Sequence, residues 1–361
     1  MRRFYICAGG TAGHIFPGLA VAEELQKEGV LAVHFIGTRR GMEDRFIGQA
    51  GFPLHYICAR GWDRTLGWSF FRMLLLNTIG FFQAFRLIAA QRPCGILCMG
   101  SYVSLLIGFW GRIFRIPLFV HEQNVLPGLA NRVVSRWARK IFISFEDSLA
   151  YFQNQDTISL TGNPLRKTVR EWRGKQEEAR AFFGFKPDLR TVFVIGGSLG
   201  SSLINRVFAE VWRNWTGTPF QVIHTTGKEE GRPLGQFVAN DPGRYLVFDF
   251  LPDPGAAYAA ADVVVCRAGA STTFEVDWFQ LPAIMIPFEG ATESHQELNA
   301  GWLRRRQPVE VFGEREFNPI NLARALERMF ALKRESWNGQ EGRQEAAELI
   351  AKAIVEELQR G

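Results

Sequence analysis

Cysteine is scarce in this 361-residue chain: five residues, at positions 7, 58, 94, 98 and 266, odd in number and scattered. That excludes a disulfide framework or a four-ligand zinc site and fits a reducing cytosol. Metal signatures are missing as well. There is no Asp-x-Asp, His-Glu-x-x-His or Cys-x-x-Cys, so neither a metal nor a cofactor is expected. The kinase motifs are absent, and no Gly-x-Gly-x-x-Gly or Gly-Lys-Ser/Thr supports a dehydrogenase or a P-loop. At the N-terminus, Arg2 and Arg3 are followed only by Phe4–Ala8 before Gly9 and Gly10, too short for a secretory apolar region, so export is not expected. Acidic residues are thin in one stretch: residues 60–140 hold 11 Lys+Arg against 2 Asp+Glu. The excess is mostly arginine, which suits phosphates and anionic head groups.

At about 100–200 residues per domain the length predicts two domains. The charge is unevenly divided between them: residues 1–161 carry 17 basic against 10 acidic groups, the remainder 25 against 26. Aromatics reach 13%, more large apolar surface than a core of this size needs, so some of it is expected to face something other than water.

Short β-type runs alternate with helical patterns: Phe4–Ala8, Ala32–Gly37, Gly95–Met99, Leu118–Val120 and Lys140–Ser144, then Thr191–Ile195, Phe220–Thr225, Tyr245–Phe248, Asp262–Cys266 and Ala283–Pro287. This is α/β alternation with parallel sheets. The first strand of each half enters a related glycine turn, Gly9-Gly-Thr-Ala-Gly13 and Gly196-Gly-Ser-Leu-Gly200. Two Rossmann-like domains are expected, 1–161 and 162–340, joined near Thr161–Pro164, with a ligand cleft between them. Apolar positions Ala346, Leu349, Ile350, Ala353, Ile354 and Leu358 predict an amphipathic closing helix over about 341–361.

The segment 68–92 reads as a helix. Its longest charge-free run, Met73–Phe85, is 13 residues, short of the roughly 20 that span a bilayer. At about 100° per residue, Leu74, Phe81, Phe85 and Ile88 form the expected core face. Leu75, Ile79 and Phe82 fall opposite, flanked by Arg72 and Arg86. That is either a second buried face or a patch suited to an anionic membrane interface.

Several clusters carry chemistry. The Gly9–Gly13 turn opens a helix whose N-terminal N–H groups suit a phosphate or oxyanion. His14, in the first turn, is a candidate general base or a merely packed residue. Ser198 offers a hydroxyl in the second turn. Glu275, within Arg267-Ala-Gly-Ala-Ser-Thr-Thr-Phe-Glu275, suits vicinal sugar hydroxyls or simply compensates a helix dipole. His121-Glu-Gln-Asn124 follows a buried strand at the end where α/β folds bind ligands. Arg166, in Gly162-Asn-Pro-Leu-Arg166, suits a base or diphosphate, or a surface ion pair. Glu293-Ser-His-Gln-Glu-Leu-Asn299 offers Gln296 and Asn299 to neutral hydroxyls.

These motifs occur in order with Gly100-Ser-Tyr-Val-Ser104, and together the chain resembles, end to end, the bacterial peptidoglycan N-acetylglucosaminyltransferases of glycosyltransferase family 28. The resemblance implies a metal-independent, inverting enzyme of the two-domain GT-B fold. It implies UDP-N-acetylglucosamine (UDP-GlcNAc) as donor and lipid I, the undecaprenyl-diphosphate-linked MurNAc-pentapeptide, as acceptor, giving lipid II. It implies peripheral attachment to an anionic surface, the cytoplasmic side of the plasma membrane, with cell-wall synthesis proteins as further partners. By motif position, His14 is the implied base. Thr11, Ala12, Gly13, Asn124, Arg166, Ser198, Leu251, Glu275 and Gln296 would hold the donor. Gly9, Gly10, Thr11, Gly13, Tyr102, His121 and Glu122 would hold the acceptor. Ala12 and Ser101 stand where the family usually has glycine, so a slightly different first loop is expected, with the Ala12 methyl toward the acceptor diphosphate. Leu251 replaces a familiar isoleucine or methionine.

Other readings are a UDP-GlcNAc 2-epimerase, which would need neither lipid nor the basic aromatic patch, and a catalytically silent nucleotide-sugar-binding protein. A nucleic-acid binder suits the charge, but the chain shows no recognition helix or RNA-binding motif, and no nucleic acid is expected as partner.

Overall fold

The computed structural model describes residues 1–39, 42–61, 67–227, 243–290, 295–332 and 345–360. Glu293 and Ser294 of the predicted polar cluster, and 341–344 of the predicted closing helix, lie outside them. The chain divides into two compact units, Met1–Arg166 with Arg343–Gly361, and Lys167–Gly342.

The first unit is built on β1 (Arg2–Cys7), β2 (Leu31–Gly37), β3 (Leu54–Tyr56), β4 (Gly95–Cys98), β5 (Leu118–Glu122), β6 (Lys140–Ile143) and β7 (Ile158–Leu160). They form one sheet in the order β3-β2-β1-β4-β5-β6-β7, every pair parallel. Its helices are α1 (Ala12–Lys27), α2 (Glu43–Gln49), α3 (Trp68–Gln91), α4 (Tyr102–Ile113) and α5 (Leu129–Val134). The second unit holds β8 (Arg190–Ile195), β9 (Phe220–Thr225), β10 (Tyr245–Phe248), β11 (Val263–Cys266), β12 (Ala283–Met285) and β13 (Val309–Val311). These form a parallel sheet in the order β10-β9-β8-β11-β12-β13. Its helices are α6 (Lys167–Arg170), α7 (Gln176–Phe182), α8 (Ser202–Asn214), α9 (Gly255–Ala260), α10 (Ala270–Phe279), α11 (His295–Arg304) and α12 (Pro319–Ala331).

The central strands are buried on both faces, as their Val/Ile-rich runs require of a sheet with helices on each side. The last helix, α13 (Ala346–Gln359), buries Ala347, Ile350, Ala351, Ile354 and Leu358 and packs beside α1 in the first unit.

Helix α3 departs from its expected orientation. Of the expected core face, Ile88 is buried and Phe81 half-buried against Phe109 and Trp110, but Leu74 and Phe85 are exposed, and the other inward positions are Met73, Gly80 and Ala84. The cause is a close backbone approach. A Cβ on Gly80 would collide with the Cys58 carbonyl oxygen, so only glycine lets the helix lie against segment 58–60. Two amides complete that contact. Asn77 accepts from the Arg60 N–H at 2.8 Å and donates to its carbonyl at 3.1 Å, and Gln83 accepts from the Cys58 N–H at 2.7 Å. With small side chains inward, Trp68, Phe71, Leu74, Leu75, Ile79 and Phe82 turn outward, Leu75 and Phe82 at 61% and 60% exposure, while Phe85 is exposed at one edge and packs on Trp110 and Phe114. Arg72 and Arg86 are exposed beside them. The helix is about 36 Å long. Phe70–Gln91 is long and apolar enough to cross a membrane by length and composition alone. Counting only the charge-free run understated it; what sets it apart from a free span is the side packed on the unit.

Candidate active site

Each sheet has a point where the chain leaves neighbouring strands in opposite directions: β1 and β4 in one, β8 and β11 in the other. Open α/β sheets bind ligands beyond the carboxyl ends of the strands at such points. The two predicted glycine turns, His14, Tyr102 and Glu275 follow these strands, whereas His121–Asn124 follow β5, Leu251 follows the edge strand β10 and Gln296 lies on α11.

In the first unit the loop after β1 carries Gly9, Gly10 and Thr11 into α1, with Ala12, Gly13 and His14 in its first turn. Gly10 adopts φ +92°, open to glycine at no steric cost. A carboxylate holds the loop from below: Glu43 Oε1 accepts from the Gly10 N–H at 3.0 Å and from Thr38 through its N–H at 3.0 Å and its hydroxyl at 3.1 Å. Glu43 is fully buried, a role that its position in α2 did not advertise. Ala12 is 7% exposed, so its extra methyl is covered by protein rather than offered to a ligand, contrary to the expectation for that departure.

From β4, Gly100 at φ +97° leads through the buried Ser101 to Tyr102 at the start of α4. A Cβ on Gly100 would meet Asn131 Nδ2 at 2.9 Å and His14 Cε1 at 3.4 Å, so this loop closes on the histidine. Tyr102 is exposed, its ring against Gly61.

From β5 come His121, Glu122, Gln123 and Asn124, the first three buried. Gln123 Oε1 lies 3.0 Å from His14 Nδ1, and Gln123 Nε2 lies 2.9 Å from His121 Nδ1 and 3.1 Å from the His121 carbonyl oxygen. His121 Nε2 stands 3.4 Å from the Gly162 carbonyl. Burial lowers the His121 imidazole to about 4, with the neighbouring His14 adding to the shift, so the ring is neutral at physiological pH. Burial raises the Glu122 carboxyl, against hydrogen bonds from the Asn124 and Gly128 N–H groups and from the Asn131 and Asn124 amides. Arg166 lies with its guanidinium 3.9 Å above the Phe16 ring of α1. Glu43, Gln123 and Asn131 were not singled out from sequence. Only Gln123 carried a signal, as part of the polar run after β5.

In the second unit, Gly196–Gly200 links β8 to α8, with Gly197 and Gly200 at φ +91° and +83° and Ser198 half-buried between them. Ser201 caps α8 by accepting from the Ile204 N–H, and Arg267 donates to the same hydroxyl at 3.0 Å. Arg267 also pairs with Glu314 at 2.6 Å and donates to the carbonyls of Ile286 and Pro287. It thus ties together the loops after β8, β11, β12 and β13. Leu251, beyond β10, is half-buried. Glu275 on α10 is 8% exposed, and its Oε2 accepts from the Tyr258 hydroxyl at 2.8 Å. Gln296 Oε1 accepts from the Phe288 N–H at 3.0 Å, which holds the loop after β12 on α11.

The described residues contain no group of three or more His, Cys, Asp or Glu placed to hold a metal ion. Away from the strand ends, Arg112, Arg115, Arg136 and Arg139 line a concavity of about 360 Å³ with Trp137, beside the first residues of β5 and β6.

Two doubly wound parallel sheets, each with a glycine turn at its switch point, define a two-domain GT-B fold. The Glycosyltransferase family 28 N-terminal domain matches residues 4–143 and the family's C-terminal domain matches 191–357. The chain belongs to glycosyltransferase family 28. It is 33% identical to the UDP-N-acetylglucosamine--N-acetylmuramyl-(pentapeptide) pyrophosphoryl-undecaprenol N-acetylglucosamine transferase of Myxococcus xanthus, over 99% of this chain and 93% of the relative. It is 32% identical to the protein of that name in Desulforamulus reducens, over 99% of each chain. Among solved structures it is similar in fold to Acinetobacter baumannii MurG, with a TM-score of 0.71 at 24% identity over the whole of both chains. A Neisseria meningitidis UDP-GlcNAc 2-epimerase shares the fold at TM-score 0.63 and 13% identity, over 99% of this chain and all of that one.

Proposed function

We infer that this chain is a hexosyltransferase that moves N-acetylglucosamine from UDP-GlcNAc to the 4-hydroxyl of MurNAc in lipid I, giving lipid II for peptidoglycan synthesis. The observation that carries the reading is His14 at the head of α1, between two glycine loops at a switch point, in a chain both of whose halves match family 28. His14 takes the proton of the acceptor hydroxyl as that oxygen attacks the anomeric carbon in line with the departing UDP. Inversion follows from the single displacement. Charge on the leaving diphosphate is met by N–H groups and hydroxyls, Ser198 in the second unit and the α1 turn of Thr11, Ala12 and Gly13 in the first.

Glu275 takes the ribose hydroxyls, Arg166 and Leu251 lie toward the uracil, and Asn124 and Gln296 toward the donor sugar. The acceptor is assigned to Gly9, Gly10, Thr11, Gly13 and Tyr102; His121 and Glu122, expected to touch it, are buried and bonded to Gln123 and to Asn124, Gly128 and Asn131, and support these loops from beneath. The outward face of α3 lies in the plane of an anionic membrane on its cytoplasmic side, with Leu75, Ile79 and Phe82 in the interface and Arg72 and Arg86 at the head groups. Other cell-wall synthesis proteins are proposed as further partners.

The test is transfer of radiolabel from UDP-GlcNAc to a short-chain lipid I analogue, with EDTA present and UDP-N-acetylgalactosamine as control donor. Lipid-dependent transfer selective for the gluco donor is expected. Binding or epimerisation of UDP-GlcNAc without transfer would overturn the reading.

A further inference from the structure

Resting on the reading of His14 as the base, we propose that Gln123 is its positioning residue. The Gln123 amide fixes the His14 proton on Nδ1 and leaves the lone pair on Nε2. The assignment follows from hydrogen-bond polarity along a buried chain of partners. A carbonyl oxygen only accepts, so the Gln123 atom 3.1 Å from the His121 carbonyl is the NH₂, as placed. Its second hydrogen reaches His121 Nδ1 at 2.9 Å, which must therefore carry a lone pair. The fully buried His121 ring is neutral, so its proton sits on Nε2 and points to the Gly162 carbonyl. With the amide anchored this way, Gln123 Oε1 faces His14 Nδ1 at 3.0 Å, and an amide oxygen can only accept there. His14 Nδ1 is the donor.

The consequence is chemical. A free neutral imidazole prefers its proton on Nε2, and that tautomer would present Nδ1 as the base. Gln123 inverts the preference and sets the ring angle through a contact spanning 109 residues of sequence. Being an amide, it cannot take the second proton. The proton abstracted from the acceptor hydroxyl stays on His14 Nε2 until it leaves to solvent, and Nδ1–H is unchanged throughout. The fixed direction of this bond is what a carboxylate supplies in other histidine-based sites, where loss of the correct tautomer costs orders of magnitude in rate.

The test has two parts on the full chain. In ¹⁵N-histidine protein, long-range ¹H–¹⁵N correlation at a pH where His14 is neutral reads which ring nitrogen carries the proton, the His14 signals being those absent from His14→Gln. Wild type is expected to show Nδ1–H, and Gln123→Met to lose that single tautomer. Gln123→Met is expected to lower kcat by about 10–100-fold while the KM for UDP-GlcNAc stays within about threefold. Nε2–H in the wild type overturns the proposal whether or not the variant folds. So does a Gln123→Met enzyme with unchanged kcat. Because the spectrum needs no turnover, absence of transferase activity would remove the proposed function and leave the tautomer assignment to stand or fall by itself.

Discussion

Glu43 Oε1 lies 3.0 Å from the Gly10 nitrogen and, through two further bonds to Thr38, fastens the glycine loop to the end of β2 from inside the protein. Its other oxygen is buried with no hydrogen-bond partner among the described residues. A site that binds a diphosphate over the loop gains from a fixed loop below it. Glu43→Ala is expected to destabilise the protein by about 2–4 kcal/mol, for three lost bonds to one buried carboxyl oxygen. The KM for the acceptor is expected to rise as well. Urea unfolding and steady-state kinetics measure the two, and an unchanged acceptor KM would confine Glu43 to folding.

Replacing the proposed base is the simplest kinetic check. His14→Ala is expected to lower turnover by about 100-fold or more, the usual scale for a general base, with the donor KM nearly unchanged. Turnover at the wild-type level would move proton transfer to another group.

Tyr258 donates to Glu275 in a site where both are buried. Tyr258→Phe keeps the ring edge-on to Phe193 and stacked on Phe279 but removes that donor. The KM for UDP-GlcNAc is expected to rise roughly tenfold, the equivalent of one hydrogen bond to a charged group, with kcat within twofold. An unchanged KM would limit the hydroxyl to satisfying a buried carboxylate.

Much of this architecture is legible in the sequence, for identifiable reasons. Central strands such as Gly95–Cys98 and Val263–Cys266 are uninterrupted apolar runs because both faces are covered. The three-residue edge strands β3, β7 and β13 are partly exposed and carry no such run, and the sequence reading passes over them. The inward side of α3 is misread because periodicity counts apolarity, whereas packing against Cys58 selects for small size at Gly80 and Ala84. At the site, the glycine turns and the polar run at 121–124 announce themselves locally. The pairing of His14 with Gln123 and of Gly10 with Glu43 joins distant segments and has no local signature.

Acid is expected to weaken the fold through two buried histidines. Burial lowers His121 to about 4 and His224 to about 3, while both stand near 6.5 in the unfolded chain. Between those values the unfolded state binds more protons, so stability is lost as the pH falls from about 6.5 toward 4. Above 6.5 the two groups contribute no slope. Glu122 opposes this: burial raises its carboxyl, so its contribution is present at low pH and lost as the pH rises through its folded value. The urea midpoint is expected to drop between pH 7 and 4.5, with a shallower drop in His224→Gln. An equal slope in that variant would assign the acid loss to other groups.

Leu75→Glu combined with Phe82→Glu is expected to release the protein from anionic vesicles in a flotation assay while UDP binding stays unchanged. Undiminished vesicle binding by the double variant would refute the role assigned to the α3 face.

The seating of α3 on Gly80, Ala84 and two amides also separates two demands that most surface helices must satisfy with the same side chains. Its outward apolar residues Trp68, Phe71, Leu74, Leu75, Ile79 and Phe82 contribute little to holding the fold, since exposed positions away from special features usually change stability by no more than about 0.5 kcal/mol when substituted. The outer side of the helix is therefore open to wholesale redesign. A fully water-compatible form of this enzyme can be sought by recolouring one helix, provided that position 80 keeps its hydrogen.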